Sequence, residues 1–219
     1  MEQINILPSI FAANFADIPS ALELIRNSSI TMIHYDVMDN HFVPNISFGE
    51  QFVKQVMSAV PEIQADIHLM IDLPGHYEKF LALKPRVLTI HAEASENIIP
   101  YLRGVRSEGI LAGVSLKPDT PIDILKDLAG EFDLFLVMSV EPGFSFQKFI
   151  PRSLQKIQQA RSFFGENLII EADGGINRQN MHILKEAGLN WFVMGGGFFN
   201  DPSPDTLLFS LNNDSCSKE

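Results

Sequence analysis

The chain has 219 residues, 46% of them hydrophobic and 20% charged, which is enough for one larger domain with a substantial core. Its 16 basic against 27 acidic residues give a net charge of -11 with no basic run, which excludes a binder of nucleic-acid backbones, and one cysteine, Cys216, excludes intrachain disulfides and cysteine-rich metal sites. No stretch reaches the ~18 apolar residues of a membrane span, and the opening Met-Glu-Gln-Ile lacks the basic and apolar regions of a signal peptide, so a cytoplasmic protein is expected.

Along the chain, short apolar runs alternate with helical patterns. Strands are expected at Ile4 to Ser9, Met32 to Met38, Gln64 to Met70, Val87 to His91, Leu111 to Leu116, Leu134 to Val140, Leu168 to Asp173 and Trp191 to Gly195. Helices are expected between them at Ile18 to Arg26, Gly49 to Ala59, Gly75 to Leu83, Ser95 to Glu108, Pro121 to Ala129, Pro151 to Phe164, Arg178 to Ala187 and Ser203 to Leu211. Pro74, Pro121, Pro151 and Pro204 stand near helix starts, where a missing N–H does little harm, and Gly109, Gly130, Gly165 and Gly188 follow helices as C-terminal caps. Repeats of about 27 residues suit βα units with short loops. The pattern predicts an α/β fold, a single-domain (β/α)8 TIM barrel over residues 1–211 with a polar tail over 212–219; an open doubly wound sheet is the competing topology.

In such a barrel, active sites lie at the C-terminal ends of the strands. In the second strand, His34, Asp36 and Met38 share one face, while Ile33, Tyr35 and Val37 share the other. An imidazole and a carboxylate on a core strand are costly unless paired or bound to a metal. With His68 ending the third strand and Asp173 the seventh, two histidines and two aspartates can converge as a four-donor site suited to a divalent transition metal. Asp66 and Glu171 share faces with His68 and Asp173 one layer deeper, where they either orient the ligands or are satisfied by backbone. His91, His76 and His182 read as hydrogen-bonded core residues; Lys117 could form a Schiff base, but nothing nearby would lower its pKa, which weighs against that role. Met38, Met70 and Met138 end three strands, as core filler or as an apolar cover for a site. Gly143, then Gly174 and Gly175, then Gly195, Gly196 and Gly197 follow the last three strands, where glycine lets an anion approach the backbone.

These residues resemble one family closely, the ribulose-phosphate 3-epimerases. The carriers of the resemblance are Leu7-Pro8-Ser9-Ile10, His34-Tyr35-Asp36-Val37-Met38-Asp39 with His41-Phe42-Val43-Pro44-Asn45, Asp66-Ile67-His68-Leu69-Met70, Val137 through Phe144, and Asp173-Gly174-Gly175. The resemblance implies one divalent ion (Zn²⁺, Fe²⁺, Mn²⁺ or Co²⁺) held by His34, Asp36, His68 and Asp173. It further implies Asp36 and Asp173 as the acid/base pair and a small sugar phosphate as substrate. Substrate contacts would come from Ser9, His68, Asp173 and the glycine loops, including Gly143, Phe144, Ser145 and Phe146, and the protein would be a homo-oligomer, a dimer or hexamer. The implied reaction is inversion of carbon 3 of a ketose phosphate, D-ribulose 5-phosphate or the six-carbon allulose 6-phosphate; a non-catalytic phosphosugar-binding paralogue is the reading from another class. A decarboxylase of the same barrel group would need Asp-x-Lys-x-x-Asp, which is absent. The chain departs from the family at Asn14, at Asn40 where glycine is usual, at Ser145-Phe146 where the family has two glycines, and at Gly196 where serine is common.

Overall fold

A computed structural model describes residues 4–73 and 76–213. Eight parallel strands form one sheet: β1 (Asn5–Pro8), β2 (Met32–Met38), β3 (Gln64–Met70), β4 (Val87–His91), β5 (Leu111–Leu116), β6 (Leu134–Met138), β7 (Ile169–Asp173) and β8 (Trp191–Met194). Strands β2 to β8 pair in sequence order and β1 pairs with β8. A parallel bridge between Ser9 and His34 brings β1 onto β2 and closes the circle. The fold is a (β/α)8 barrel, as expected.

The helices are α1 (Ile18–Asn27), α2 (Glu50–Ala59), α3 (Tyr77–Leu81), α4 (Ile99–Ser107), α5 (Ser153–Phe164), α6 (Met181–Glu186), α7 (Gly196–Phe199) and α8 (Leu207–Asn213). Strand periodicity sorts the core into two parts. Outward residues such as Ile33, Tyr35, Val37, Ile67 and Leu69 pack with Leu22, Ile25, Val53 and Val56 of the helices. Inward Leu7, Met32, Val87, Leu134, Leu136, Ile169 and Trp191 fill the barrel below the site.

Several expectations need correction. The segment after β5 is a 3₁₀ helix, Ile122–Leu128, and not an α-helix; its buried residues Ile122 and Leu125 stand three apart, the 3₁₀ period. Helix α4 starts at Ile99, because Ala92–Ala94 forms a 3₁₀ turn and Asn97 Oδ1 accepts the Ile99 N–H. Helix α6 starts at Met181, because the side chains of Asn177 and Asn180 tie up the loop backbone before it: Asn180 Oδ1 accepts from Asn177 N–H, and Asn177 Oδ1 from Gln179 N–H. Strand β6 stops at Met138: Ser139 N–H and Oγ–H both donate to the Asp173 carbonyl, turning the chain. The last expected helix divides into a 3₁₀ turn, Pro204–Thr206, and α8, which runs two residues into the expected tail. Helix α5 starts at Ser153, two residues past Pro151. Helix α7 was not expected at all. Pro74, Gly75 and residues 214–219, with Cys216, lie outside the described residues. No described helix is long and apolar enough to cross a membrane.

Candidate active site

Parallel pairing without a register slip sets His34 beside Asp66 and Asp36 beside His68. Met138 likewise lies beside Asp173. Ser9, Asp36, Met38, Met70, Met138 and Asp173 line one cavity of about 390 Å³ at the C-terminal mouth, together with Gly143 through Phe149, Gly174, Gly175 and Gly195 through Gly197. His34 and His68 stand fully buried behind Asp36.

The contacts are close. Ser9 Oγ–H donates to Asp36 Oδ2 at 2.7 Å. His34 Nε2 and His68 Nδ1 each lie 3.2 Å from the same oxygen, Asp36 Oδ1. Behind His34, Nδ1 lies 2.5 Å from Asp66 Oδ2 and 3.4 Å from Glu171 Oε1. Of the two roles open to Asp66, the structure thus places it against the ring of His34. Asp66 Oδ1 and both oxygens of Glu171 are buried without a hydrogen-bond partner among the described residues.

Burial and charge divide the two aspartates. Burial works against ionised Asp36, but His34 and His68 outweigh it and hold Asp36 far below the usual carboxylate range. Asp173 has no such partner; burial first, then the Asp36 charge, push it up to about 8. Burial also works against a charged His34, yet Asp36 and Asp66 overcome it and hold the ring well above its ordinary value. Burial and Asp66 push Glu171 well up.

One donor atom from each of His34, Asp36, His68 and Asp173 falls within 4.8 Å of the others. The set fits a cation by its chemistry. A neutral imidazole has one N–H; with that of His34 given to Asp66, Nε2 aims a lone pair at Asp36 Oδ1. A proton or a metal ion between them relieves that repulsion. Nitrogen and carboxylate donors in this number suit a divalent transition metal.

At the cavity's other end, glycine is demanded mainly by packing of the chain on itself. A Cβ at Gly175, whose φ is +66°, would lie 2.4 Å from Phe149 N, and one at Gly197 would lie 2.0 Å from the Ile176 carbonyl. Phe146 takes φ +61°, the left-handed region, and its ring covers Gly196, where a Cβ would come within 2.7 Å of Cε1. The two departures at 146 and 196 are therefore one packing unit. Asn40 at φ +63° is the milder case, since asparagine tolerates this region.

Other candidates fall outside the cavity. Lys117 Nζ lies 4.2 Å from the centroid of the Phe42 ring and does not line the cavity. His76 is exposed, contrary to expectation, and His182 is half-buried on α6. His91 is buried and hydrogen-bonded as expected, its partners being His68 and Glu93. Sequence reasoning missed Asp39, which accepts from the amides of His41, Phe42 and Asp72 and so shapes the loops after β2 and β3. It also missed Asn45, whose Nδ2–H donates to the Gly143 carbonyl at 2.6 Å across the mouth. Asp39 and Asn45 sit in the stretch that carries the resemblance, so the signal was present without its physical reading.

Comparison with known proteins places the chain. The Ribulose-phosphate 3 epimerase family matches residues 5–199. The chain is 39% identical over 210 residues to ribulose-phosphate 3-epimerase of Mycobacterium tuberculosis, covering 94% of this chain and 90% of that protein. It is 36% identical over 201 residues to the Bacillus subtilis protein of the same name, covering 90% and 92%. Among solved structures, KGPDC from Streptococcus mutans superposes with TM-score 0.69 at 12% identity, covering 97% of each chain, which is a likeness of fold.

Proposed function

The chain belongs to the ribulose-phosphate 3-epimerase family and is an isomerase acting on carbohydrate phosphates, and from that premise we propose that it inverts carbon 3 of D-ribulose 5-phosphate, giving D-xylulose 5-phosphate, by proton transfer between two aspartates. The observation that carries the reading is the pairing of Asp36 and Asp173 in one cavity with their protonation pushed apart in opposite directions. Two titratable groups separated in this way are ready as base and acid.

Asp36, held ionised, takes the proton from carbon 3 on one face, and Asp173 returns one on the other. Between the two transfers the substrate is an enediolate. In the reverse direction the carboxyls exchange roles, so no reductant or nucleotide is needed. Ser9 fixes the Asp36 carboxylate through its 2.7 Å hydrogen bond and reaches the cavity as a substrate contact. Met38, Met70 and Met138 cover the reacting carbons with apolar surface and keep water from the enediolate. One divalent ion, Zn²⁺, Fe²⁺, Mn²⁺ or Co²⁺, held by His34, Asp36, His68 and Asp173, would supply Lewis-acid stabilisation of the developing oxyanion, a matter of several kcal/mol. Backbone at Gly174, Gly175 and Gly195 to Gly197 holds the phosphate, in keeping with a chain of net charge -11 that has no basic cluster. The physiological setting is a cytoplasmic homo-oligomer, dimer or hexamer, in pentose phosphate metabolism.

Phe146 on Gly196 keeps a second substrate in view, because both changes fall at the phosphate end. A six-carbon ketose phosphate, allulose 6-phosphate, would undergo the same chemistry with its phosphate placed differently. The intact donor set and acid/base pair weigh against a non-catalytic paralogue.

The test is proton NMR of metal-loaded protein with D-ribulose 5-phosphate in heavy water. Xylulose 5-phosphate carrying deuterium at carbon 3 is expected. Absence of both product and exchange overturns the pentose assignment, and the same measurement with allulose 6-phosphate then separates a changed substrate from a silent binder.

A further inference from the structure

Behind His68 runs a chain of buried groups that the reaction itself does not use. His68 Nδ1 faces Asp36 Oδ1 at 3.2 Å, and His68 Nε2 faces His91 Nε2 at 2.9 Å. His91 Nδ1 faces Glu93 Oε2 at 3.3 Å. Glu93 is anchored at its other oxygen, Oε1, by the Lys117 N–H at 2.8 Å and by the Thr120 hydroxyl. Both imidazoles are fully buried. Three gaps join the four side chains from Asp36 to Glu93, but two neutral imidazoles bring only two hydrogens. One of the three gaps must hold two facing lone pairs; the middle one, at 2.9 Å, is the shortest and takes a hydrogen, so the bare gap falls at one end.

The partners at each end decide which. Among the described residues, Glu93 Oε2 has no hydrogen-bond donor besides His91. Asp36 also receives Ser9 Oγ–H, so it keeps a donor when His68 Nδ1 carries no hydrogen. The hydrogen of His91 therefore belongs on Nδ1, toward Glu93. His91 Nε2 is then an acceptor, His68 carries its hydrogen on Nε2, and His68 Nδ1 is left bare toward Asp36.

We propose that His91 and Glu93 are positioning residues that fix the Nε2–H tautomer of His68, so that its Nδ1 lone pair is aimed at the metal position before any ion arrives. The inference rests on the reading of His68 as a metal ligand. Its neighbour His34 is fixed by a carboxylate in direct contact, Asp66, at 2.5 Å. His68 reaches its carboxylate through a second imidazole.

The relay can be inverted without changing its shape. In Glu93→Gln, the Lys117 N–H can only donate, so the amide oxygen takes the Oε1 place and the NH₂ group falls opposite His91 Nδ1. His91 must then carry its hydrogen on Nε2, and His68 on Nδ1, pointing at Asp36 instead of offering a lone pair.

The experiment uses the full chain labelled with ¹⁵N-histidine. Two-bond ¹H–¹⁵N correlation spectra of the metal-free wild type are expected to show His68 as the Nε2–H tautomer and His91 as Nδ1–H; in Glu93→Gln both are expected to switch. Zn²⁺ affinity, from competition with a chromophoric chelator, is expected to fall about 10- to 100-fold in the variant. An Nδ1–H tautomer for His68 in the wild type overturns the proposal, as does unchanged Zn²⁺ affinity in a variant whose tautomers have switched. The tautomers are read without metal, so failure of the relay is distinguishable from failure of the metal site: wild type with the expected tautomers that takes up no Zn²⁺ tells against the site alone.

Discussion

Asp36 and Asp173 are the same residue type in one cavity, and their different surroundings push their protonation in opposite directions. Two imidazoles and the Ser9 hydroxyl face Asp36; burial beside a negative charge governs Asp173. Asp36→Asn and Asp173→Asn are each expected to lower kcat by about 10²- to 10⁴-fold, the usual contribution of one acid or base, with carbon-3 deuterium exchange falling in step. Phe146 offers a test of opposite sign. A non-glycine residue in the left-handed region costs about 1 kcal/mol or more, and this ring is 72% exposed, so it recovers little by burial. Phe146→Gly is therefore expected to stabilise the protein by about 1 kcal/mol in urea unfolding. Its coupling to Gly196 is measured by KM: Gly196→Ser alone raises KM by displacing the ring, and combination with Phe146→Gly restores it. The left-handed Phe146 could be posed from sequence only as a question, because a backbone angle belongs to the loop and not to the residue.

Elements were legible where one period ran long enough to be counted. All eight strands fall where apolar runs were read, β2 to β5 with the bounds expected and the other four with ends moved by one or two residues, and β2 displays the alternation that sent His34 and Asp36 inward. The 3₁₀ helix over Ile122–Leu128 was misread because its composition suits either helix type. Its approach from β5 is held by tertiary contacts instead: Lys156 Nζ–H groups donate to the carbonyls of Lys117, Pro118 and Thr120. Arg161 has a comparable part on α5. Its guanidinium donates to the carbonyls of Gly165, Leu168 and Gly188 and to Asn190 Oδ1, joining the loops before β7 and β8. Arg161→Ala is expected to cost about 1.5 to 3 kcal/mol in urea unfolding, the range for charged hydrogen bonds. Arg161→Lys should recover less than half, because an ammonium cannot match the planar fork. Turnover of the folded variants should stay at the wild-type level, since Arg161 does not line the cavity.

For the whole molecule, the site is expected to make stability depend on pH and on metal. Asp173 carries a proton in the fold up to about pH 8 but loses it near 3.8 when unfolded. The folded state therefore binds the extra proton, and this contribution to stability is lost as pH rises through that window. His34, raised, has the same sign. His68 and His91, lowered by burial, act in the opposite direction only below about 6.5. Metal-free protein is thus expected to lose stability between pH 6.5 and 8 in urea titrations, and Asp173→Asn should flatten the slope. Metal must displace the proton that Asp36 and Asp66 hold on His34, so Zn²⁺ uptake at pH 7 should release protons to a weak buffer. Free Zn²⁺ at 100 times its Kd should add about 2.7 kcal/mol, removed again by chelator.

The sequence by itself determined the alternation of eight strands and their connections, the inward face of β2, and the choice of His34, Asp36, His68 and Asp173, because period and residue type are local properties. It left open whether Asp66 oriented a metal ligand or was satisfied by the backbone, and it gave His91 a hydrogen-bonded place in the core without its partners. Only the tertiary structure decided these, along with the ring of Phe146 on Gly196 and the opposite protonation of the two aspartates. Each depends on the distance and burial between residues about 20 to 140 positions apart. Closing the barrel sets those distances, and no local pattern carries them.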